Sequence, residues 1–317
     1  MARNGADVLK ALANVVVETP QSTSGLQVFG LKWPSPIGVD YLTLDEAVWT
    51  KVLDVAEIDE GGRVSTIKVV NKSDRLVFLM AGELLLGCKQ DRVINASMMV
   101  PTVGELHIPA TCVEAGRWTY RSRKFSSEGS SSHGFLRMMM SRQAAAHYKA
   151  HGMPGSDQAA VWSEVARKMA KTGSRSLSGT LQEMYKNYAN RLEEVLAKIC
   201  APSGCQGAAF VIDGKIVAAD LFDKQSTLNK LWAKLIKSYA MDALEHPKDL
   251  PRVVQPEQIS EWIKAAGAAK QKWFDSLGLG YDVRIEGEHL IGAALVVEEH
   301  PVHLELFHEG SGAYEAD

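Results

Sequence analysis

Between Gln27 and Val113 the chain never runs far before it is made to turn. Short apolar stretches, Gln27–Lys32, Val52–Ile58, Arg63–Asn71, Leu76–Leu86, Arg92–Met99 and Leu106–Val113, alternate with Gly61-Gly62, Asn71-Lys72-Ser73-Asp74 and Pro101 to Gly104. Gly-Gly between two such stretches signals a hairpin, and turns this frequent favour sequential antiparallel strands over a doubly wound parallel sheet. This half of the chain is therefore expected to form an antiparallel sandwich or roll. Residues 1–25 read as a short helix and a polar connection.

The second half changes period. Ser156 or Asp157 can cap a helix in which Trp162, Val165, Ala166 and Met169 share a face. Leu181, Tyr185, Tyr188, Leu192, Val195 and Ile199 mark a longer amphipathic helix, too short in heptads for a coiled coil. Phe210–Phe222 holds two apolar runs around Asp213-Gly214, the preferred pair for a type I′ hairpin. Ser226 opens a helix carrying Leu228, Leu231, Trp232, Leu235 and Tyr239. Pro247, Pro251 and Pro256 bracket a loop, and Pro256 starts a helix with Ile259, Trp262, Ile263 and Trp273. Strands return at Tyr281–Glu286, His289–Val297 and Val302–Phe307, late enough to rejoin the first sheet. The fold class is α+β: a strand-rich N-terminal half, a helical second half and returning C-terminal strands.

Residues 121–157 stand apart. Six Lys or Arg face one acid, Glu128, between Arg121 and Lys149, in a background of Ser and Gly. The stretch reads as a basic loop, either simply solvated or a lid facing an anion, with Met138-Met139-Met140 available to a protein partner. The expected organisation is thus 1–25 as an N-terminal segment, 26–120 as the strand-rich region, 121–157 as the loop, and 158–317 packed with 26–120 into one composite domain.

Composition narrows function mostly by exclusion. With 317 residues, 46% of them apolar and 23% charged, the chain has material for a large core, and a net charge of −3 gives no overall drive toward nucleic acid or anionic membranes. Ala11–Val17 is too short an apolar run for a signal peptide or a membrane span, which makes a cytoplasmic location the expectation. Cys88, Cys112, Cys200 and Cys205 form no CxxC pair, and Pro202 and Gly204 make a turn the simpler reading of the last two. No phosphate loop, dinucleotide fingerprint, nucleophile elbow or HExxH motif is present, and no cofactor is indicated. His303 and Glu305 alternate to one side of a strand near His300, but no third ligand can be named, so no metal site is assigned.

Chemistry concentrates in Met80–Trp118. Glu83 ends an apolar run and needs a partner if buried, with Lys89 and Arg92 nearest in sequence. It is a candidate general acid or base, with Gln90 and Arg92 gripping the ligand. Glu114, Arg117 and Trp118 follow the same pattern at a bend that Gly116 permits: Trp118 can stack on a base, and Arg117 can hold a phosphate in bidentate fashion. Each cluster reads equally well as structural, an ion pair pinning a bend or a tryptophan covering the core.

The run VVNKSDRLVFLMAGELLLGCKQDRVINAS, followed by VP, IP and CVEAGRW, resembles the ARG- and rhodanese-phosphatase-superfamily-associated domain family, where ARG is ADP-ribosylglycohydrolase. The likeness extends through Gln158, Trp162, the 210–222 hairpin and Ser238-Tyr239. It implies a role near ADP-ribose or a related phosphorylated nucleotide. The expectation is nucleotide binding with possible hydrolysis, with Glu83 and Glu114 as the catalytic carboxylates and Gln90, Arg92, Arg117 and Trp118 as ligand contacts. The rival is a non-enzymatic protein-binding or scaffold module of a stress or defence system.

Overall fold

A computed structural model describes residues 8–33, 39–245 and 253–310. The Pro247 and Pro251 of the expected loop lie outside these residues. After a 3₁₀ turn at Val8–Asn14 come β1 (Val16–Thr23), β2 (Leu26–Lys32), β3 (Tyr41–Thr43), α1 (Leu44–Trp49), β4 (Leu53–Glu57), β5 (Thr66–Asn71), β6 (Leu76–Leu79), β7 (Leu84–Gly87), β8 (Arg92–Ile94), β9 (Met98–Val100), β10 (Gly104–Cys112) and β11 (Phe125–Ser126). The helical stretch holds α2 (Gly134–His151), α3 (Gln158–Lys171), α4 (Leu181–Asn187) and α5 (Ala189–Leu196). Then follow β12 (Gly207–Ile212), β13 (Lys215–Phe222), α6 (Gln225–Ala243), α7 (Pro256–Ala266), β14 (Lys270–Asp275), β15 (Tyr281–Gly287), β16 (Leu290–Val297) and β17 (His300–His308).

The expected α+β class is what the chain adopts. An eight-stranded antiparallel sheet runs β1-β2-β12-β13-β17-β16-β15-β14, so the last strands do rejoin the sheet of the first two, with the β12–β13 hairpin between them. Most of the N-terminal strands instead build a six-stranded sheet, β11-β7-β8-β10-β5-β4, and a three-stranded one, β3-β6-β9, whose β3–β6 pair is parallel. One core lies between the large sheet and α2 to α6, a second on the sheet's other face under α7 and the 3₁₀ turn, and a third within the two smaller sheets.

Several local expectations hold. Asp213 and Gly214 both take positive φ, 50° and 75°, as a type I′ turn between β12 and β13 requires. The Asp157 carboxylate caps α3 through the N–H groups of Ala159 and Ala160, and Pro256 opens α7.

Others are corrected. Residues 16–23 form edge strand β1 rather than a polar connection. The run Leu76–Leu86 is two strands, broken at Gly82, where φ is +89°. The single helix expected over 181–199 is two, divided at Tyr188. Ser226 lies inside α6, which begins one residue earlier, and Trp273 sits on β14 rather than α7.

The largest correction concerns the basic loop: its residues 134–151 are helix α2. Leu136, Arg137, Met140, Ser141, Ala144 and Tyr148 form its buried stripe. Two of these are polar, and their partners Asp220 and Glu305 arrive from distant strands, so apolar periodicity alone conceals the helix. Met138 and Met140 are buried in the main core, which removes them as contacts for a protein partner.

Candidate functional site

Glu83 follows the turn that Gly82 makes between β6 and β7. The carboxylate is completely buried. One oxygen accepts from the Met80 amide at 2.7 Å and the other from Lys234 on α6, which also binds Asp45 at 2.8 Å. Burial pushes the Glu83 carboxyl up, against the pull of Lys234. The lysine loses by burial too, but two carboxylates hold it above its ordinary value and therefore cationic. Neither Lys89 nor Arg92 is the partner, as sequence proximity suggested.

Arg92 is fully buried in β8. Its Nη1 donates to the Val64 carbonyl and to Cys112 Sγ, and its Nη2 to the Arg63 carbonyl at 3.2 Å and to Glu57 at 3.3 Å. Burial raises the nearby Cys88 and Cys112 thiols to about 11, so neither is a ready thiolate. Gln90 is 4% exposed.

Asp91, Glu114, Arg117 and Arg121 form a separate knot. Arg117 donates to Glu114 through Nε at 2.9 Å and Nη2 at 2.5 Å, and to the carbonyls of Cys88 at 2.6 Å and Thr119 at 2.7 Å. Asp91 accepts from the Gly87 amide, Arg121 and Thr180. Burial would raise the Glu114 carboxyl, but Arg117, Ser178 and the Asp91 amide outweigh it and hold it low. Trp118, 41% exposed, covers the outside, with Lys89 at 5.4 Å and Arg92 at 5.6 Å from its ring centroid.

The structure therefore brings Glu114 to Arg117 and Arg92 to Trp118, and leaves Glu83 apart beneath α6. In both arginines the forked donors are already aimed at internal carbonyls and carboxylates, where a phosphate would have to displace them.

A second polar layer lies between the large sheet and α2. Asp220, His303 and Glu305 are buried, with potential ligand atoms all within 4.8 Å of one another. Asp220 supplies the third residue that could not be named from sequence, because it comes from β13, next to β17 in the sheet. The donor set does not fit a metal as it stands. Arg137 binds both oxygens of Asp220, at 2.6 and 2.9 Å, and reaches Glu305 at 3.2 Å. His303 spends its two nitrogens on Ser97 and Asp220. A cation there would meet a guanidinium already neutralising the same carboxylates. Burial raises Asp220, yet Arg137 and His303 overcome it and keep the carboxyl well below the usual range.

Outside these networks, a cleft of about 720 Å³ opens between α2 and the β14–β16 edge of the large sheet. Register explains its character: Lys270 lies opposite Glu286, and Lys272 opposite Arg284, so all four share one sheet face. Arg142 and Lys149 overhang from α2, Glu309 closes one side, and Ala145, Ala146 and Ile291 supply apolar wall. Lys149 pairs with Glu286 at 2.9 Å, and Arg142 with Glu309 at 2.7 Å. Five cations thus line the cleft against two carboxylates, with Asp282 behind Arg284 at 2.5 Å. Sequence reasoning singled out none of them as site residues; the basic count over 121–149 was the one signal, and Arg142 and Lys149 belong to it.

The model of the ARG and Rhodanese-Phosphatase-superfamily-associated Protein domain matches residues 14–307. The chain belongs to this family. No curated protein and no solved structure matches it. Family membership thus spans all three sheets and the helices between them. Among the described residues no helix is long and apolar enough to cross a membrane.

Proposed function

We propose that this protein binds a phosphorylated small molecule, of the ADP-ribose or related nucleotide class, in the cleft between α2 and β14–β16. The observation that carries the reading is Lys272 lying directly opposite Arg284 on the cleft floor. Asp282 offsets Arg284 from behind, which still leaves the lining with more cations than carboxylates, and a bound anion would meet that excess charge. Arg142 and Lys149 on the facing helix add charge from above, and the apolar wall accepts a planar or aliphatic body. The nucleotide class comes from the family's association with ADP-ribose-processing proteins.

This reading moves phosphate recognition away from Arg92 and Arg117, whose donors are engaged internally. It is a binding function. The cleft's own acids, Glu286 and Glu309, are paired with Lys149 and Arg142, and Glu83 and Glu114 are paired elsewhere, so none of these four carboxylates stands ready to activate water.

A thermal-shift series with ADP-ribose, ADP, AMP, pyrophosphate and the uncharged nucleoside adenosine tests it. A ligand present at 100 times its Kd stabilises by about 2.7 kcal/mol, well within detection. Phosphorylated compounds should raise the melting temperature and adenosine should not; a flat response across the series would refute the reading.

A further inference from the structure

Near its C-terminal end α2 carries two histidines four residues apart, His147 and His151, which puts them on one side of the helix a turn apart. Their ring centroids are 4.4 Å apart. Neither lines the basic cleft.

The His147 ring is held in place. Its Nδ1 lies 2.8 Å from the Met153 carbonyl oxygen. A carbonyl only accepts, so Nδ1 carries the proton, and the neutral ring has its lone pair on Nε2. The chain that supplies the carbonyl folds back over the ring directly after the helix. Gly152 ends α2 in the left-handed conformation, at φ 72°. A Cβ at Gly155 would come within 2.8 Å of the imidazole, so glycine is what lets the loop close on it. A backbone carbonyl fixing the tautomer of a histidine is the outer-shell arrangement that orients metal ligands.

We propose that His147 and His151 form a site for a borderline transition-metal dication, Zn²⁺ or Cu²⁺, with His147 binding through Nε2. Imidazole nitrogens at this helical spacing hold one ion from a single helix face, as the two histidines of an HExxH helix do. Two protein ligands leave the remaining positions to water, which makes the site exchangeable rather than structural. Hard cations such as Mg²⁺, which prefer oxygen, are not held there.

The test is calorimetric titration of the full chain, free of any histidine tag, with ZnCl₂ at pH 7.5, repeated with MgCl₂ and with the variants His147→Gln and His151→Gln. His151→Gln leaves the His147–Met153 bond intact and so reports on ligation rather than loop folding. The expected result is one Zn²⁺ per chain, at least tenfold weaker binding in each variant, and no Mg²⁺ binding. Unchanged Zn²⁺ affinity in His151→Gln would overturn the site, as would the absence of Zn²⁺ binding by the unmodified chain.

Discussion

Lys234 on α6 binds Glu83 at the bend between β6 and β7, joining residues 151 positions apart in a place that water does not reach. Removing one partner of such a pair strands a buried charge and costs about 3–5 kcal/mol, whereas replacing both by apolar groups of similar size costs far less. Lys234→Met should therefore shift the urea midpoint strongly downward, and the double variant Lys234→Met/Glu83→Leu should recover part of the loss. A Lys234→Met protein as stable as the parent would show that the pair is not what holds α6 to the bend.

Arg117 makes the same point for the second cluster. It donates to three carbonyls and clasps Glu114 with two nitrogens. Arg117→Ala should destabilise by about 2–4 kcal/mol through the acceptors and carboxylate it abandons. Any ligand that binds the cleft should keep its affinity for the variant within about threefold of the parent, a change of under 1 kcal/mol. A large affinity loss with unchanged stability would return phosphate recognition to the place sequence first put it.

Acid should unfold the protein through a small set of groups. Burial alone would raise the Asp242 carboxyl, but Lys168 and His133 override it and hold the group far below its ordinary value. Asp220 behaves likewise against Arg137. A depressed native value means that the unfolded chain binds the proton first. The stability these two groups contribute is present above the ordinary carboxylate range and drains away as pH falls below about 5. Asp242→Asn should lower the melting temperature at pH 7 and flatten its fall between pH 5 and pH 3. A variant with the parent's full acid dependence would assign that dependence to other groups.

Gly82 sits at φ +89°, and a Cβ there would lie 2.9 Å from Arg137 Cγ. Gly82→Ala combines left-handed strain with pressure on the Arg137–Asp220 network, and should cost about 1–3 kcal/mol in chemical denaturation. A neutral effect would mean that Arg137 yields easily, and that the layer beneath α2 is looser than its hydrogen bonds imply.

Which features were legible in the sequence follows from range. The Asp213-Gly214 hairpin, the Asp157 cap and the Pro256 helix start are local, written in the residues that make them. Glu83 reads as a group needing a partner, whereas Glu114 and Arg117, three residues apart, read as a catalytic carboxylate and a phosphate grip and prove to be each other's partner. Lys234 was not, because nothing in a helix of otherwise ordinary pattern marks one lysine as buried. Helix α2 was missed for a related reason: Arg137 and Ser141 occupy inward positions that periodicity expects to be apolar, and the acids that satisfy them lie at Asp220 and Glu305. The cleft is less visible still, since Lys272 and Arg284 face each other only through the β14–β15 register.

Titration calorimetry decides whether the cleft between α2 and β14–β16 holds a phosphorylated ligand. The tightest-binding anion of the nucleotide series would be titrated into the parent and into Lys270→Ala/Lys272→Ala. Both lysines are exposed on β14, so the double variant should keep its fold and melting temperature. A cleft that holds the anion gives at least tenfold weaker binding in the variant, and weaker binding to the parent as salt is raised. Equal affinity in the two proteins would contradict it.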